Sequence, residues 1–120
     1  MTNKKTLVIG ASENPARYSH KAIRSLRMYN HDVVALAKKE GQVEDVKIQK
    51  EFPVNGIHTV TMYLGPQRQP DYYSKIIDLH PKRVIFNPGT ENEVFAGLLK
   101  ENGIEAVEAC TLVMLSIGNY

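Results

Sequence analysis

Short apolar runs rich in β-branched residues alternate along the chain with longer stretches whose apolar positions recur every three or four residues. The first run, Thr6 to Ile9, is stopped by Gly10, the pattern of a central strand buried on both faces. From Pro15 the period changes. Ala22, Ile23, Leu26 and Tyr29 recur at helical spacing while Lys21, Arg24 and Arg27 fall on the other side, so a helix is predicted to open at Pro15. The run from Asp32 to Ala37, DVVALA, returns to a strand. Lys38 to Gly56 holds no sustained period and reads as an irregular connection, although Val46-Lys47-Ile48 alternates like a short edge strand.

The alternation then resumes. Thr59 to Leu64 is the third main strand, stopped by Gly65-Pro66, and Asp71 is placed to cap a helix whose apolar stripe is Tyr72, Tyr73, Ile76 and Ile77. Pro81 ends that helix, and Arg83 to Phe86 is the fourth strand. Thr90 with Glu93 has capping-box spacing ahead of a stripe of Val94, Phe95, Leu98 and Leu99. Gly103 suits a helix C-terminus, Ile104 to Val107 is the fifth strand, and Thr111 to Tyr120 supplies a last helical turn or two.

Strand alternating with helix predicts an α/β domain: Rossmann-like, doubly wound, with a mainly parallel five-stranded sheet flanked by helices. One domain spans residues 1–120, with a strand order such as 3-2-1-4-5. Ligands of this architecture bind outside the carboxyl ends of the strands. That singles out the loops Gly10 to Tyr18, Ala37 to Gly41, Leu64 to Arg68, Asn87 to Glu91 and Ala109 to Thr111.

Composition narrows the function classes. A net charge of +2, with basic and acidic residues interspersed and no set of stacking aromatics, argues against a nucleic-acid binder. The first apolar run, Leu7-Val8-Ile9, is far shorter than a membrane span or a signal-peptide core. Cys110 is the lone cysteine, so no internal disulfide forms, and a reducing cytoplasm is the expected location. His20, His31, His58 and His80 are scattered without zinc-ligand spacing, and neither a nucleophile elbow nor a Walker lysine motif occurs. No residue is assigned a catalytic role, and no metal is expected.

The chemistry the sequence does offer is phosphate binding. Gly10-Ala11-Ser12 leaves a strand and enters a helix, where small residues admit a pyrophosphate, helix N–H groups face it and Arg17 adds a charge-assisted contact. Simple turn chemistry accounts for the same residues. Only Gly10 of the three fingerprint glycines of a dinucleotide site is present, and the second strand ends in Lys38-Lys39 instead of an acidic residue. That demotes NAD and favours a ligand with a ribose phosphate, either NADP or coenzyme A. Asn87-Pro88-Gly89 forms a tight turn beside this site, where the Asn87 amide is placed to read a base or a carbonyl.

Taken together, Leu7 to Ser12 with Pro15 and Arg17, the lysine after the second strand, Asn87-Pro88-Gly89 and Cys110 resemble the CoA-binding domain family. The resemblance runs from about Lys5 to about Leu115, to a stand-alone version of the domain at the front of the succinyl-CoA synthetase α subunit. It implies that Gly10, Ala11 and Ser12 hold the CoA pyrophosphate with help from Arg17. It further implies that Lys39 faces the nucleotide and that Asn87, Pro88 and Gly89 border the adenosine or pantetheine side. The family pattern carries Asn-Pro where this chain has Ala37-Lys38. Ligases of the wider group need a phosphohistidine domain and a nucleotide-binding partner subunit, so the resemblance implies a binder of CoA or acyl-CoA and no ligase. The expected role is a non-catalytic carrier, sensor or regulatory module for a small-molecule ligand, with a protein partner or a homodimer through Leu112 to Leu115 conceivable. The alternatives are an NADP-binding enzyme or sensor, an interaction module that has lost its ligand, and a mixed disulfide of Cys110 with CoA.

Overall fold

The computed structural model describes residues 2–120. The chain begins with β1 (Thr6–Ile9), α1 (Tyr18–Met28), β2 (Val33–Leu36), β3 (Gly41–Val43) and β4 (Val46–Gln49). It continues with β5 (Thr59–Met62), short 3-10 turns at Pro66–Arg68 and Pro70–Tyr72, and α2 (Tyr73–Leu79). The last elements are β6 (Arg83–Phe86), α3 (Glu93–Glu101), β7 (Glu105–Glu108) and α4 (Thr111–Ser116).

The strands form one sheet in the order β3-β4-β2-β1-β5-β6-β7. Every pairing is parallel except β3 with β4. The fold class is the α/β, Rossmann-like one expected from the alternation, but the sheet has seven strands where five were expected. The extra two come from the segment read as irregular. Gly41–Val43 and Val46–Gln49 make a hairpin whose turn residue Glu44 takes a left-handed conformation, φ 53°. β4 occupies the place beside β2, so the Thr59 strand lies on the other side of β1 and the five main strands run β2-β1-β5-β6-β7.

β1 is buried at every position, as its unbroken apolar run requires. Its side chains alternate between the two layers of core. Leu7 and Ile9 pack in the layer holding Ile76, Phe95 and Leu99 of α2 and α3, and Val8 packs in the layer holding Ile23 and Leu26 of α1 and Leu115 of α4. The hairpin is pinned to α1 by Arg24 on Glu44 and by Arg27, whose guanidinium grips both carboxylate oxygens of Asp45.

Several element boundaries differ from the sequence expectation for local reasons. α1 starts at Tyr18 because Ser12 and Asn14 hold the preceding backbone in side-chain turns, Ser12 Oγ accepting from Asn14 N and Asn14 Oδ1 from Ala16 N. Asp71 lies in a 3-10 turn and caps nothing, and α2 ends at His80, which is left-handed with φ 51°. The cap of α3 is Asn92, whose side chain accepts from Phe95 N, while the Thr90 hydroxyl donates to the Asn87 carbonyl. Val94, expected in the buried stripe, is 69% exposed. Gly103 does follow α3 with positive φ, 73°, as its glycine suggested.

Candidate functional site

At the carboxyl ends of β2, β1, β5 and β6 the loops part to leave a crevice of about 680 Å³. Gly10, Ala11, Ser12, Arg17, Lys39, Pro88 and Gly89 all line it, as does Lys38. Gly10 is required at its position. Its φ is +92°, and a Cβ there would sit 3.1 Å from the carbonyl carbon of Tyr63 and from Leu64 Cδ2. The glycine thereby lets the crevice floor continue from β1 to β5.

The backbone donors at the crevice come from the helix and not from the strand end. The N–H groups of Gly10 and Ala11 both donate to the Leu36 carbonyl, at 3.0 and 3.1 Å, so these residues contribute closeness and not phosphate donors. The donors at the crevice are the first N–H groups of α1, which a helix leaves unpaired, and the Ser12 hydroxyl. Ser12 Oγ accepts from Asn14 N at 3.0 Å, which leaves its own proton free to donate outward. His20 reaches back from α1 to hydrogen-bond the Ser12 carbonyl through Nδ1 at 3.0 Å and steadies the loop. Across the loop, Glu13 accepts from Gln42 N at 2.9 Å and ties this segment to β3.

Asn87 is the one sequence-predicted residue that the structure removes from the crevice lining. It is 2% exposed, and its amide faces inward. Nδ2 donates to Thr61 Oγ1 at 2.7 Å and to the Met62 carbonyl at 2.9 Å, while Oδ1 accepts from Thr111 N at 2.9 Å. Asn87 therefore joins β5, β6 and the start of α4. The Gly89 N–H beside it is held by Glu91 at 2.9 Å.

The lining also includes Tyr63, Leu64, Arg68 and Tyr72 from the segment after β5, and Thr90 after β6, none of them named in the sequence as a ligand contact. The Leu64 to Arg68 loop is one of those expected at the carboxyl ends of the strands, but in the sequence its Gly65-Pro66 serves only to stop a strand. Burial pushes the Tyr63 phenol well above its ordinary range, with Cys110 nearby adding to the effect, so the hydroxyl stays protonated. His31 and His58, both held below 6.5 chiefly by burial, precede β2 and β5 at the opposite end of the sheet. The crevice thus offers cations, hydroxyls and apolar walls.

Its charge is one-sided. Arg17, Lys38, Lys39 and Arg68 line it, and no Asp or Glu does. None of the four takes part in an ion pair among the described residues, where the salt bridges belong to Arg24 and Arg27.

Comparison with other proteins bears on the fold and the family. A crystal structure of an uncharacterized protein is 47% identical and superposes with a TM-score of 0.96 over 100% of both chains. A hypothetical protein from Pyrococcus horikoshii OT3 is 23% identical with a TM-score of 0.88, over 97% of this chain and 84% of its own. A protein from Thermus thermophilus is 21% identical with a TM-score of 0.83, over 98% and 91% respectively. These last two share the fold. No curated protein matches the sequence significantly. The sequence pattern of the CoA binding domain matches residues 4–116, nearly the whole chain. With a Rossmann-like sheet, a crevice at its switch point and that match, the chain belongs to the CoA-binding domain family.

Proposed function

We propose that this protein binds coenzyme A or an acyl-CoA in the crevice and carries out no chemistry on it. The observation that carries the reading is the crevice lining: Arg17, Lys38, Lys39 and Arg68, without a carboxylate among them, in a chain whose net charge is only +2. Such a concentration of unpaired cations repels itself unless an anion is bound. Coenzyme A brings a pyrophosphate and a ribose 3′-phosphate, the latter worth about 1.5 to 2 negative charges at neutral pH.

The assignment of parts follows strand order. Ser12, Arg17 and the start of α1 take the pyrophosphate, Gly10 and Ala11 admit it to the sheet edge, and Lys38 and Lys39 at the end of β2 take the ribose phosphate. Pro88 and Gly89, with the segment after β5, border the pantetheine arm. A carrier, sensor or regulatory module that presents the thioester to a partner fits this arrangement, with the Tyr63 hydroxyl protonated and with buried His31 and half-buried His58 at the opposite end of the sheet.

Thermal unfolding with CoA, dephospho-CoA, acetyl-CoA, NAD and NADP tests the reading. A ligand at a hundred times its Kd adds about 2.7 kcal/mol and raises the midpoint by on the order of ten degrees. We expect CoA and acetyl-CoA to give the full shift and dephospho-CoA a smaller one. No shift with any CoA compound overturns the proposal, and a shift with NADP alone replaces it with an NADP site.

A further inference from the structure

Beside the crevice lies a buried polar side chain that touches no ligand position yet is joined to much of one wall. Gln69 is fully buried. Its Nε2 donates to the Leu64 carbonyl at 3.0 Å and to the Thr90 carbonyl at 2.8 Å, bridging the loop after β5 to the loop after β6. Its Oε1 accepts from Asn92 Nδ2 at 3.0 Å, and the same Nδ2 donates to the Tyr73 hydroxyl at 2.8 Å. Leu64 and Thr90 line the crevice, and so do Arg68, its immediate neighbour in sequence, and Tyr72 at the end of the next 3-10 turn. Thr90 in turn donates through Oγ1 to the Asn87 carbonyl, which extends the network to the buried bracket on β5 and α4.

A buried glutamine with both amide protons and its carbonyl engaged has little rotational freedom, and neither have the two loops that it joins. We propose that Gln69 is a positioning residue for the pantetheine arm: it fixes the separation of the β5 and β6 loops and so holds Leu64, Arg68, Tyr72 and Thr90 as a preformed wall. This rests on the CoA reading given above. A ligand meeting a wall already in place loses less on ordering it, so affinity is gained without a direct contact. The effect falls on one part of the ligand. The adenosine and its phosphates are assigned to the loops after β1 and β2, which Gln69 does not touch.

The test separates this from a purely structural role. CoA and adenosine 3′,5′-bisphosphate, which lacks the pantetheine arm, are titrated calorimetrically into the wild-type protein and into Gln69→Ala and Asn92→Asp. Asp at position 92 keeps the acceptor that caps α3 and removes the donor to Gln69, so this variant decides the matter if Gln69→Ala does not fold. Gln69→Ala is expected to weaken CoA binding by about tenfold. Binding of the bisphosphate should change by less than about twofold, with Asn92→Asp showing the same split at smaller size. Equal loss for both ligands, or no loss for either, overturns the positioning role while leaving the CoA reading intact. Failure of the wild-type protein to bind CoA overturns the CoA reading and this inference with it.

Discussion

On one wall of the crevice Arg17, Lys38 and Lys39 stand on exposed loops, shaped by short-range turns at Ser12 and Asn14 and by the Glu13 contact to Gln42. On the other, Gln69, Asn87, Thr90, Thr61 and Thr111 are buried and hydrogen-bonded to one another or to the loops between them. The first wall concentrates charge and spends little on structure. The second concentrates structure and presents mostly neutral surface. The difference is what electrostatics predicts: a cation keeps its hydration until a phosphate displaces it and so must stay at the surface, whereas an amide network gains strength when water is excluded. Substitutions on the two walls should therefore fail in different ways, the charged wall losing ligand and the braced wall losing stability.

Asn87→Ala should have the largest effect. It leaves the Thr111 N–H and the Met62 carbonyl buried without the partner that Asn87 supplies, at about 1 to 3 kcal/mol for each unmade bond. The unfolding midpoint without ligand is expected to fall by on the order of ten degrees or more. Lys39→Ala is the counterpart. Being exposed and in no ion pair among the described residues, it should leave the unliganded stability unchanged to within about 0.5 kcal/mol. The same variant should weaken CoA by about ten- to a hundredfold through the loss of a charge-assisted contact worth about 1.5 to 3 kcal/mol. Dephospho-CoA binding should barely change. An unaltered CoA affinity in the folded Lys39→Ala protein removes Lys39 from the site, and a stable Asn87→Ala protein ends the contrast between the walls.

Gly10 and Gly89 allow a finer comparison, because both line the crevice with nearly the same backbone conformation, φ 92° and 91°. Alanine at either costs about 1 to 2 kcal/mol for the left-handed backbone. At Gly10 the new Cβ also meets the Tyr63 backbone, whereas at Gly89 nothing lies within 4 Å. Chemical denaturation should therefore show Gly10→Ala less stable than Gly89→Ala by about 1 kcal/mol or more. Equal losses would mean that the β5 loop gives way and that the second wall is softer than its hydrogen bonds imply.

How legible each wall is in the sequence follows from the same contrast. The charged wall is built from contiguous residues, Gly10 to Arg17 and Lys38-Lys39, so a strand-to-helix loop and a basic strand end are visible as motifs. The braced wall is assembled from partners far apart in the chain, Gln69 with Thr90 and Asn87 with Thr61 and Thr111, which no local period announces. That is why Asn87 reads as a ligand contact in the sequence, while Arg68 reads only as the end of a loop and Tyr72 as part of an apolar stripe. The β3–β4 hairpin escapes for another reason. Its strands are three and four residues long, and the alternation of Val46-Lys47-Ile48 marks β4 as a short edge strand without announcing the antiparallel partner, Gly41–Val43. β1, β5 and β6, buried at nearly every position, are legible because apolar side chains are needed on both faces of a central parallel strand.

The opposite end of the sheet gives the smallest effect and a control for both walls. His31 is fully buried before β2, its Nδ1 accepting from Lys4 N at 2.9 Å while Nε2 has no partner among the described residues. Burial, then the charges of Lys4 and Arg83, hold it below 6.5, and His58 is depressed in the same way. For a base whose pKa is lower folded than unfolded, the unfolded chain binds the proton first. Stability is therefore complete above pH 6.5 and declines as the pH falls towards the folded value, by at most about 1.4 kcal/mol per pH unit for each histidine. His31→Asn should flatten the decline in unfolding midpoint between pH 7 and pH 5 without abolishing it, because His58 still titrates. Lys39→Ala and Asn87→Ala should keep the wild-type slope even though their midpoints differ. If either crevice variant changed that slope, the acid sensitivity would arise at the carboxyl ends of the strands, and the two walls would share a titrating group that their geometry does not show.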